Sequence, residues 1–282
     1  MKTGLVLEGG AKRGIYTAGV LDVLLENNVR VDGVIGVSAG AIHGCSYVAE
    51  QAGRSIRYNL KYGNDYRFMN FRSWLLSGNI VDTQFCYRDL PEKLDPFDNE
   101  TFKKSATAFY VTCSNLETGE AEYIHCRDLV KEIDYLRASA SLPLVSRIVE
   151  IGGKKLLDGG ICDSIPLRAF INLGYEKNIV VQTRPSGYRK KPGMTGWLAA
   201  LVYRKFPRFV RAVKNRHLMY NRELDYIEEM REQGKILVIR PSRLIKIGKM
   251  ERNLDIVKEM YELGREDALR ELPRIREFLK QS

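Results

Sequence analysis

Val31-Asp32-Gly33-Val34-Ile35-Gly36-Val37-Ser38-Ala39-Gly40-Ala41-Ile42 is the stretch on which the fold turns. Its first half is an apolar run of strand length. Its second half opens a segment carrying Ala41, Ile42, Cys45, Val48 and Ala49 at helical spacing. Between them, Gly36-Val37-Ser38-Ala39-Gly40 matches G-x-S-x-G in the strand, sharp turn, helix context that gives the pattern its meaning as a nucleophile elbow. A serine held in such a turn needs small neighbours, because larger side chains would strike the strand or the helix. The helix N-terminus beneath Ser38 favours developing negative charge. The competing reading is a plain tight turn.

Outward from this point, apolar runs alternate with helical periodicity, which predicts an α/β fold with a mostly parallel sheet. Strands are expected at 4–7, 31–37, 108–113, 147–157 (a hairpin turning at Gly152-Gly153), 179–182 and 236–239. Helices are expected at 15–26, 39–51, 130–139, 166–173, 196–222 in pieces, and 254–280. Residues 1–185 read as a core. Residues 186–282 read as a basic helical segment plus a last strand and helix completing the same domain. The less regular stretch 64–100 is rich in aromatics (Tyr66, Phe68, Phe71, Trp74, Phe85, Tyr87). It reads either as a satellite cluster on the sheet or as a wall over an apolar pocket.

The chain has 282 residues, 44% of them hydrophobic, enough for one large α/β domain or two small ones. Its five cysteines are odd in number and have no CxxC spacing, and its three histidines are scattered. Neither a disulfide framework nor a metal site is expected, and no cofactor is called for. This composition points to a reducing compartment, the cytoplasm. The first apolar stretch is too short for a signal-peptide core. No window offers the roughly 18 uncharged apolar residues of a membrane span. A soluble protein, at most peripheral at a membrane, is the expectation.

The net charge of +10 is unevenly placed. Residues 184–222 hold eleven Lys and Arg and no Asp or Glu. Within them Leu198, Leu201, Val202, Phe209 and Val213 approximate one helical face, interrupted at Pro207. A basic amphipathic helix of this kind can lie on an anionic membrane. The alternative is an outer helix with a solvated basic face. No nucleic-acid motif accompanies the charge, and no nucleic-acid partner is expected.

After the first strand comes Glu8-Gly9-Gly10-Ala11-Lys12-Arg13-Gly14, leading into a helix. Backbone N–H groups at such a junction make an anion site. A dinucleotide loop requires G-x-G-x-x-G, which Ala11 breaks, and an acid near the end of the second strand, where Gly36-Val37-Ser38 stands instead. A P-loop requires Lys-Ser or Lys-Thr after Gly14, where Ile15-Tyr16 stands. The third reading is an oxyanion hole, and it takes its force from Ser38.

A serine nucleophile needs a base. Ser38, Asp158 and His217 have the chain order of an α/β-hydrolase triad. Against that, Ser38 follows only the second strand, and His217 lies in the basic helical stretch. His43, one helical turn past Ser38, reads as packing, and His125 as a strand end. Asp158, in Leu156-Leu157-Asp158-Gly159-Gly160, reads either as an ordinary Asp-Gly turn or as a partly desolvated base.

Taken together, the glycine loop with its arginine, G-x-S-x-G and Asp-Gly-Gly, in this order, resemble the patatin-like phospholipases, in particular bacterial patatin-like proteins. Gly9, Gly10, Ala11, Arg13 and Gly14 match the family's loop. Gly36, Ser38 and Gly40 match its elbow, and Asp158, Gly159 and Gly160 its aspartate motif. Ser139-Ala140-Ser141-Leu142-Pro143 and Asp163-Ser164-Ile165-Pro166-Leu167 resemble the blocks that precede and follow that aspartate. The likeness covers about residues 3–185 by motif. Two positions depart: Ala11 replaces a third glycine, and Ser164 a frequent asparagine.

The resemblance implies a three-layer sandwich around a central, mostly parallel sheet. It implies a lipid acyl hydrolase of the phospholipase A or carboxylesterase type, acting on phospholipid or another fatty-acyl ester. Ser38 would attack, Asp158 would act as its base without histidine, and N–H groups of Gly10 and Ala11 would hold the oxyanion. Arg13 would organise the loop or meet a phosphate head group. A catalytically weak lipid-binding protein of the same fold, and the triad with His217, are the other readings.

Overall fold

The computed structural model describes residues 1–69 and 71–280. Among these, the strands are β1 (Lys2–Leu7), β2 (Gly33–Val37), β3 (Ala108–Asn115), β4 (Ala121–Cys126), β5 (Val149–Ile151), β6 (Lys154–Asp158), β7 (Tyr175–Val181) and β8 (Ile236–Ile239). The helices are α1 (Ile15–Glu26), α2 (Ala39–Val48), α3 (Arg54–Tyr62), α4 (Phe71–Ser77), α5 (Asn99–Lys104), α6 (Ile133–Ser139), α7 (Leu167–Asn172), α8 (Thr195–Val202), α9 (Pro207–Glu232) and α10 (Leu254–Lys280). A π-helical segment, Phe85–Leu94, lies between α4 and α5.

One sheet runs in the order β5-β6-β3-β2-β1-β7-β8, with β4 on the other edge of β3. Strands β3, β2, β1, β7 and β8 are mutually parallel, whereas β4, β6 and β5 join antiparallel. The parallel strands read as continuous apolar runs because both faces are covered. Successive residues of β1 point to opposite faces. Leu5 and Leu7 pack with α1, α2 and α10, while Val6 packs with Phe170 of α7 and with Tyr220 and Ile227 of α9. The result is a three-layer α/β/α sandwich, with the mostly parallel sheet that the sequence pattern predicts and the three layers that the resemblance implies.

The last helix is built into this sandwich. Helices α1 and α10 approach so closely that a Cβ on Gly19 would overlap the carbonyl of Tyr261, and one on Gly264 that of Tyr16. Tyr16 and Tyr261 donate across the seam to Asp267 (3.0 Å) and Asp22 (2.7 Å).

Several elements, α3 and α5 among them, lie outside the sequence expectations. β4 was not anticipated: Ala-Glu-Tyr-Ile-His-Cys is mostly half-buried and lacks an apolar run. His125 lies inside it, stacked on Tyr110 at 4.7 Å between ring centres. The basic segment is in pieces, as expected, dividing at Phe206-Pro207, where proline starts α9 as helix-compatible N-terminal residues do. Helix α9 then continues past Arg222 to Glu232. The expected single apolar face is therefore split. Phe209 and Val213 turn inward, whereas Leu198, Leu201 and Val202 remain exposed.

Candidate active site

Ser38 stands at the end of β2 with φ 53° and ψ −119°, a left-handed conformation that an L-residue adopts only under constraint. The constraint comes from both sides. Helix α2 starts immediately, with Ile42 N–H bonded to Ser38 C=O at 3.0 Å. Gly40 presses on the end of β1 so tightly that a Cβ would overlap the carbonyl of Leu7. Gly36 likewise faces the backbone of Ala41.

Strand pairing carries Asp158 to the same place. Val37 of β2 pairs with Thr112, and Asp158 of β6 pairs with Cys113, the next residue of β3. Strand β4 occupies the opposite edge of β3. The ends of β2 and β6 therefore abut along one edge. Ser139 closes the joint: its hydroxyl accepts from Ser38 N–H (2.8 Å) and donates to Thr112 C=O (2.7 Å). Asp158 N–H donates to Ser141 C=O at 2.8 Å. The small-residue block 139–141 thus holds both backbones.

Asp158 is fully buried. Burial raises its pKa above the ordinary carboxylate value. The Arg216 charge, the nearby Ser38 side chain, the Gly160 N–H (2.8 Å to Oδ1) and the Lys249 charge pull it back down. Gly159 lies against the Thr112 carbonyl and leaves no room for a side chain. Ser164 Oγ and Arg216 Nε both donate to Gly160 C=O, which fixes the turn after the aspartate.

The glycine loop runs from the end of β1 past the elbow. Gly9 lies against Val37 and Ser38, Gly10 against Thr183, and Gly14 against Ala39 of α2. Ala11 has φ 48°, in the left-handed region that favours glycine. The N–H groups of Gly10 and Ala11 make no hydrogen bond to another described residue. Arg13 is largely buried, and its pKa is lowered by burial and by Arg184, with Glu8 opposing.

Several contributors had no signature in the sequence. Glu8, buried at the root of the loop, accepts from Thr183 N–H and from Tyr220 of α9 (2.6 Å). Arg216 of the same helix reaches the Asp158 turn. Helix α9 is thus tied to both loops of the site.

Two cavities meet here. The first, of about 150 Å³, contains Ser38 and is mainly apolar, with Phe68, Met69, Ile80, Tyr87 and Phe97 among its walls. The aromatic stretch thus does both things expected of it: Tyr58, Phe85 and Leu90 form a small buried cluster, and their neighbours wall the Ser38 cavity. The side chain of Phe71 lies outside the described residues. Lys12 also borders this cavity, donating to Asn59 (2.9 Å) over the Phe68 ring, and burial lowers its pKa to about 8. The second cavity, of about 400 Å³, shares Ala11, Met69, Ile80 and Leu142 with the first and has a cationic wall.

None of the histidines hydrogen-bonds Ser38 or Asp158 among the described residues. His43 is buried beside Ser55 (3.0 Å), and burial, with Lys12 and Arg54, drives its pKa down to about 3, so it is neutral. His217 Nδ1 contacts the Lys214 carbonyl of its own helix at 3.2 Å.

A family model described as patatin-like phospholipase matches residues 5–171. A second, described as a domain of unknown function (DUF6363), matches residues 206–280. The uncharacterized protein YjjU of Escherichia coli K12 is 26% identical over 273 residues, 94% of this chain and 75% of YjjU. Lysophospholipase NTE1 of Phaeosphaeria nodorum is 29% identical over 176 residues, and that of Emericella nidulans 31% over 176. Each of these two matches covers 61% of this chain but spans only 11% of the relative's length. The crystal structure of VipD from Legionella pneumophila shares the fold, with TM-score 0.50 at 11% identity over 97% of this chain and 67% of that one. These matches support lipid acyl hydrolysis as the general class of activity, and they establish that the chain belongs to the patatin-like phospholipase family.

Proposed function

We propose that the protein is a serine carboxylic-ester hydrolase that cleaves fatty-acyl esters of phospholipids or related lipids through a Ser38–Asp158 dyad. The observation that carries this reading is the abutment of β2 and β6, which sets a strained serine against a buried carboxylate. Asp158 takes the Ser38 proton as Oγ attacks the ester carbonyl. The free N–H groups of Gly10 and Ala11 are available to the oxyanion. As the intermediate collapses, the proton passes to the departing alcohol and leaves an acyl-serine. Water, deprotonated by Asp158, then releases the fatty acid and returns the hydrogen to Ser38 Oγ. Residues 186–282 complete the same catalytic domain in this reading, because Arg216 and Tyr220 support the two loops.

The test is labelling with a fluorophosphonate followed by mapping of the modified residue, together with p-nitrophenyl ester hydrolysis by variants. Label on Ser38, with kcat reduced on the order of 10³–10⁴-fold in Ser38→Ala and Asp158→Asn but retained in His217→Ala, is expected. Label elsewhere, or full activity in Asp158→Asn, overturns the dyad. Loss in His217→Ala would restore the triad. A wild type inactive on every acyl ester would leave a lipid-binding protein of the same fold.

Exposed apolar side chains on α8 and at its N-cap favour a further element, peripheral contact with an anionic membrane. Met194, Trp197, Leu201 and Val202 are 83%, 68%, 60% and 63% exposed, and Lys191, Arg204 and Lys205 flank them. No described helix is long and apolar enough to cross a membrane.

A further inference from the structure

We propose that the cationic cavity beside Asp158 binds the phosphate of a net-anionic head group, a phosphate monoester not covered by an ammonium group, on a glycerolipid whose acyl chain enters the Ser38 cavity. This rests on the hydrolase reading and names its substrate class.

The position follows from the sheet. β1, β2, β7 and β8 are parallel, so the loops after them emerge along one edge, where ligands of open α/β sheets bind. The first two of these loops carry the glycine turn and Ser38. The last two carry Lys190 and Lys249. Helix α9 contributes Lys214 and Arg216 from above, and all four cations line the 400 Å³ cavity. Its other wall, Leu142 to Val145, is apolar and continuous with the Ser38 cavity through Ala11, Met69, Ile80 and Leu142. A molecule with its ester at Ser38 can therefore reach one chamber with its chain and the other with its head group.

The charge is only partly compensated, by Asp158 and Glu8. Lys190, Lys214, Arg216 and Lys249 have no ion-pair partner among the described residues. Lys190 lies over the Tyr220 ring (4.9 Å), and Arg216 Nε donates to a backbone carbonyl. The two carboxylates of this neighbourhood are already engaged in hydrogen bonds: Glu8 by Thr183 and Tyr220, Asp158 by Gly160. Arg13 adds a further cation from the glycine loop, and its buried Nε has no partner. The cations weaken one another: burial, then Arg216 and Arg13, lowers Lys190 to about 8. A bound phosphate dianion relieves this repulsion and gains charge-assisted hydrogen bonds. A quaternary ammonium on the same phosphate would sit among like charges.

The test uses full-length Ser38→Ala, so that substrates bind without turnover, and the same protein with Lys190→Gln and Lys249→Gln added. Calorimetry compares 1-dodecanoylglycerol 3-phosphate, its phosphocholine counterpart, glycerol 3-phosphate and inorganic phosphate, all below micelle-forming concentration. The phosphate monoester lipid is expected to bind at least about tenfold tighter than the phosphocholine lipid, and the double substitution to remove that preference. Equal affinity for the two lipids, or a preference unchanged by the substitution, overturns the proposal. Inorganic phosphate binding as tightly as the lipid also overturns it, by assigning a free-anion site. A parallel turnover assay on both lipids with active Ser38 separates the two readings. Selective binding without hydrolysis keeps the anion site and sinks the hydrolase. Hydrolysis of both lipids at equal kcat/KM, with equal binding, does the reverse.

Discussion

Val37 and Asp158 pair with consecutive residues of β3, Thr112 and Cys113, so the strand bearing the serine and the strand bearing the aspartate meet end to end on one edge. The joint leaves a buried N–H on Ser38 and a buried C=O on Thr112, and the Ser139 hydroxyl serves both. Ser139→Ala strands the two groups at about 1–3 kcal/mol each. A loss of about 2–6 kcal/mol is expected in urea denaturation, with falling esterase activity as the elbow relaxes. Ser141→Ala is the comparison. Its hydroxyl donates to an Arg137 carbonyl that already accepts from Ala140, so its cost is expected to stay near 1 kcal/mol. Equal stability in the two variants would show that Ser139 does not brace the joint.

That joint also marks where the sequence stops being readable. Strand β2, the elbow, α1 and α10 were legible because each is set by local periodicity and turn chemistry. Ser38 carried its own context. Asp158 did not: by residue type it was a turn residue, and its proximity to Ser38 depends on the register of β6 against β3. Ala11 could be recognised as a departure, but its φ of 48° belongs to the folded loop. Glu8 and Arg216 were invisible as contributors, and Ser139 was marked only by the family resemblance of its block, since each acts on a partner tens or hundreds of residues away. The charge of residues 184–222 was plain, yet which cations face the site depends on the break at Pro207 and the rotation of α9.

Arg216 lowers the pKa of Asp158 that burial raises, so it sets the pH at which the proposed base is free. The base works deprotonated, and activity is therefore lost as pH falls through its pKa. Arg216→Gln removes an opposing charge, so the acid limb of kcat/KM is expected to move to higher pH, while Arg216→Lys keeps most of its position. The profile is measured on a small neutral p-nitrophenyl ester, which places no phosphate near the arginine. An acid limb that stays fixed in Arg216→Gln would dissociate this residue from the base.

Below the site, Asp163 and Glu223 lie between the Asp158 turn and α9 as a half-buried acid pair. Tyr123 donates to Asp163 (2.7 Å) and Ser164 N–H to Glu223 (3.1 Å). Asp163 is raised by burial, and Glu223 is raised well above the ordinary value by burial and by Asp163. The pair therefore keeps its protons to higher pH than the unfolded chain, whose carboxyls release theirs near pH 4. Where the native state binds more protons, stability falls as pH rises, by up to about 1.4 kcal/mol per unit until the native pair itself ionises. Glu223→Gln supplies an amide donor that does not titrate. Its stability relative to wild type is expected to rise between pH 5 and 7, measured by urea denaturation at each pH. A difference independent of pH would mean the pair shares no proton.

Helix α8 is the remaining surface whose composition calls for a partner. Ala199 and Tyr203 turn inward against Phe209 and Leu157, which leaves Trp197, Leu201 and Val202 facing out. Gly193 and Gly196, at the start of this helix, line the cationic cavity, so the exposed patch borders its mouth. A bilayer covering the patch would present head groups directly to that opening. Burying the apolar side chains contributes about 1.5–3 kcal/mol for each one fully covered, and each flanking cation about 1 kcal/mol at an anionic surface. Trp197→Ser with Leu201→Ser is therefore expected to weaken sedimentation with phosphatidylglycerol vesicles at least about tenfold. Raised salt should weaken the wild type in the same assay, and phosphatidylcholine vesicles should bind less than anionic ones. Because neither residue touches Ser38 or Asp158, hydrolysis of a soluble ester should persist in the variant. Equal sedimentation of variant and wild type would sink the membrane contact, and binding indifferent to lipid charge and salt would sink its electrostatic part.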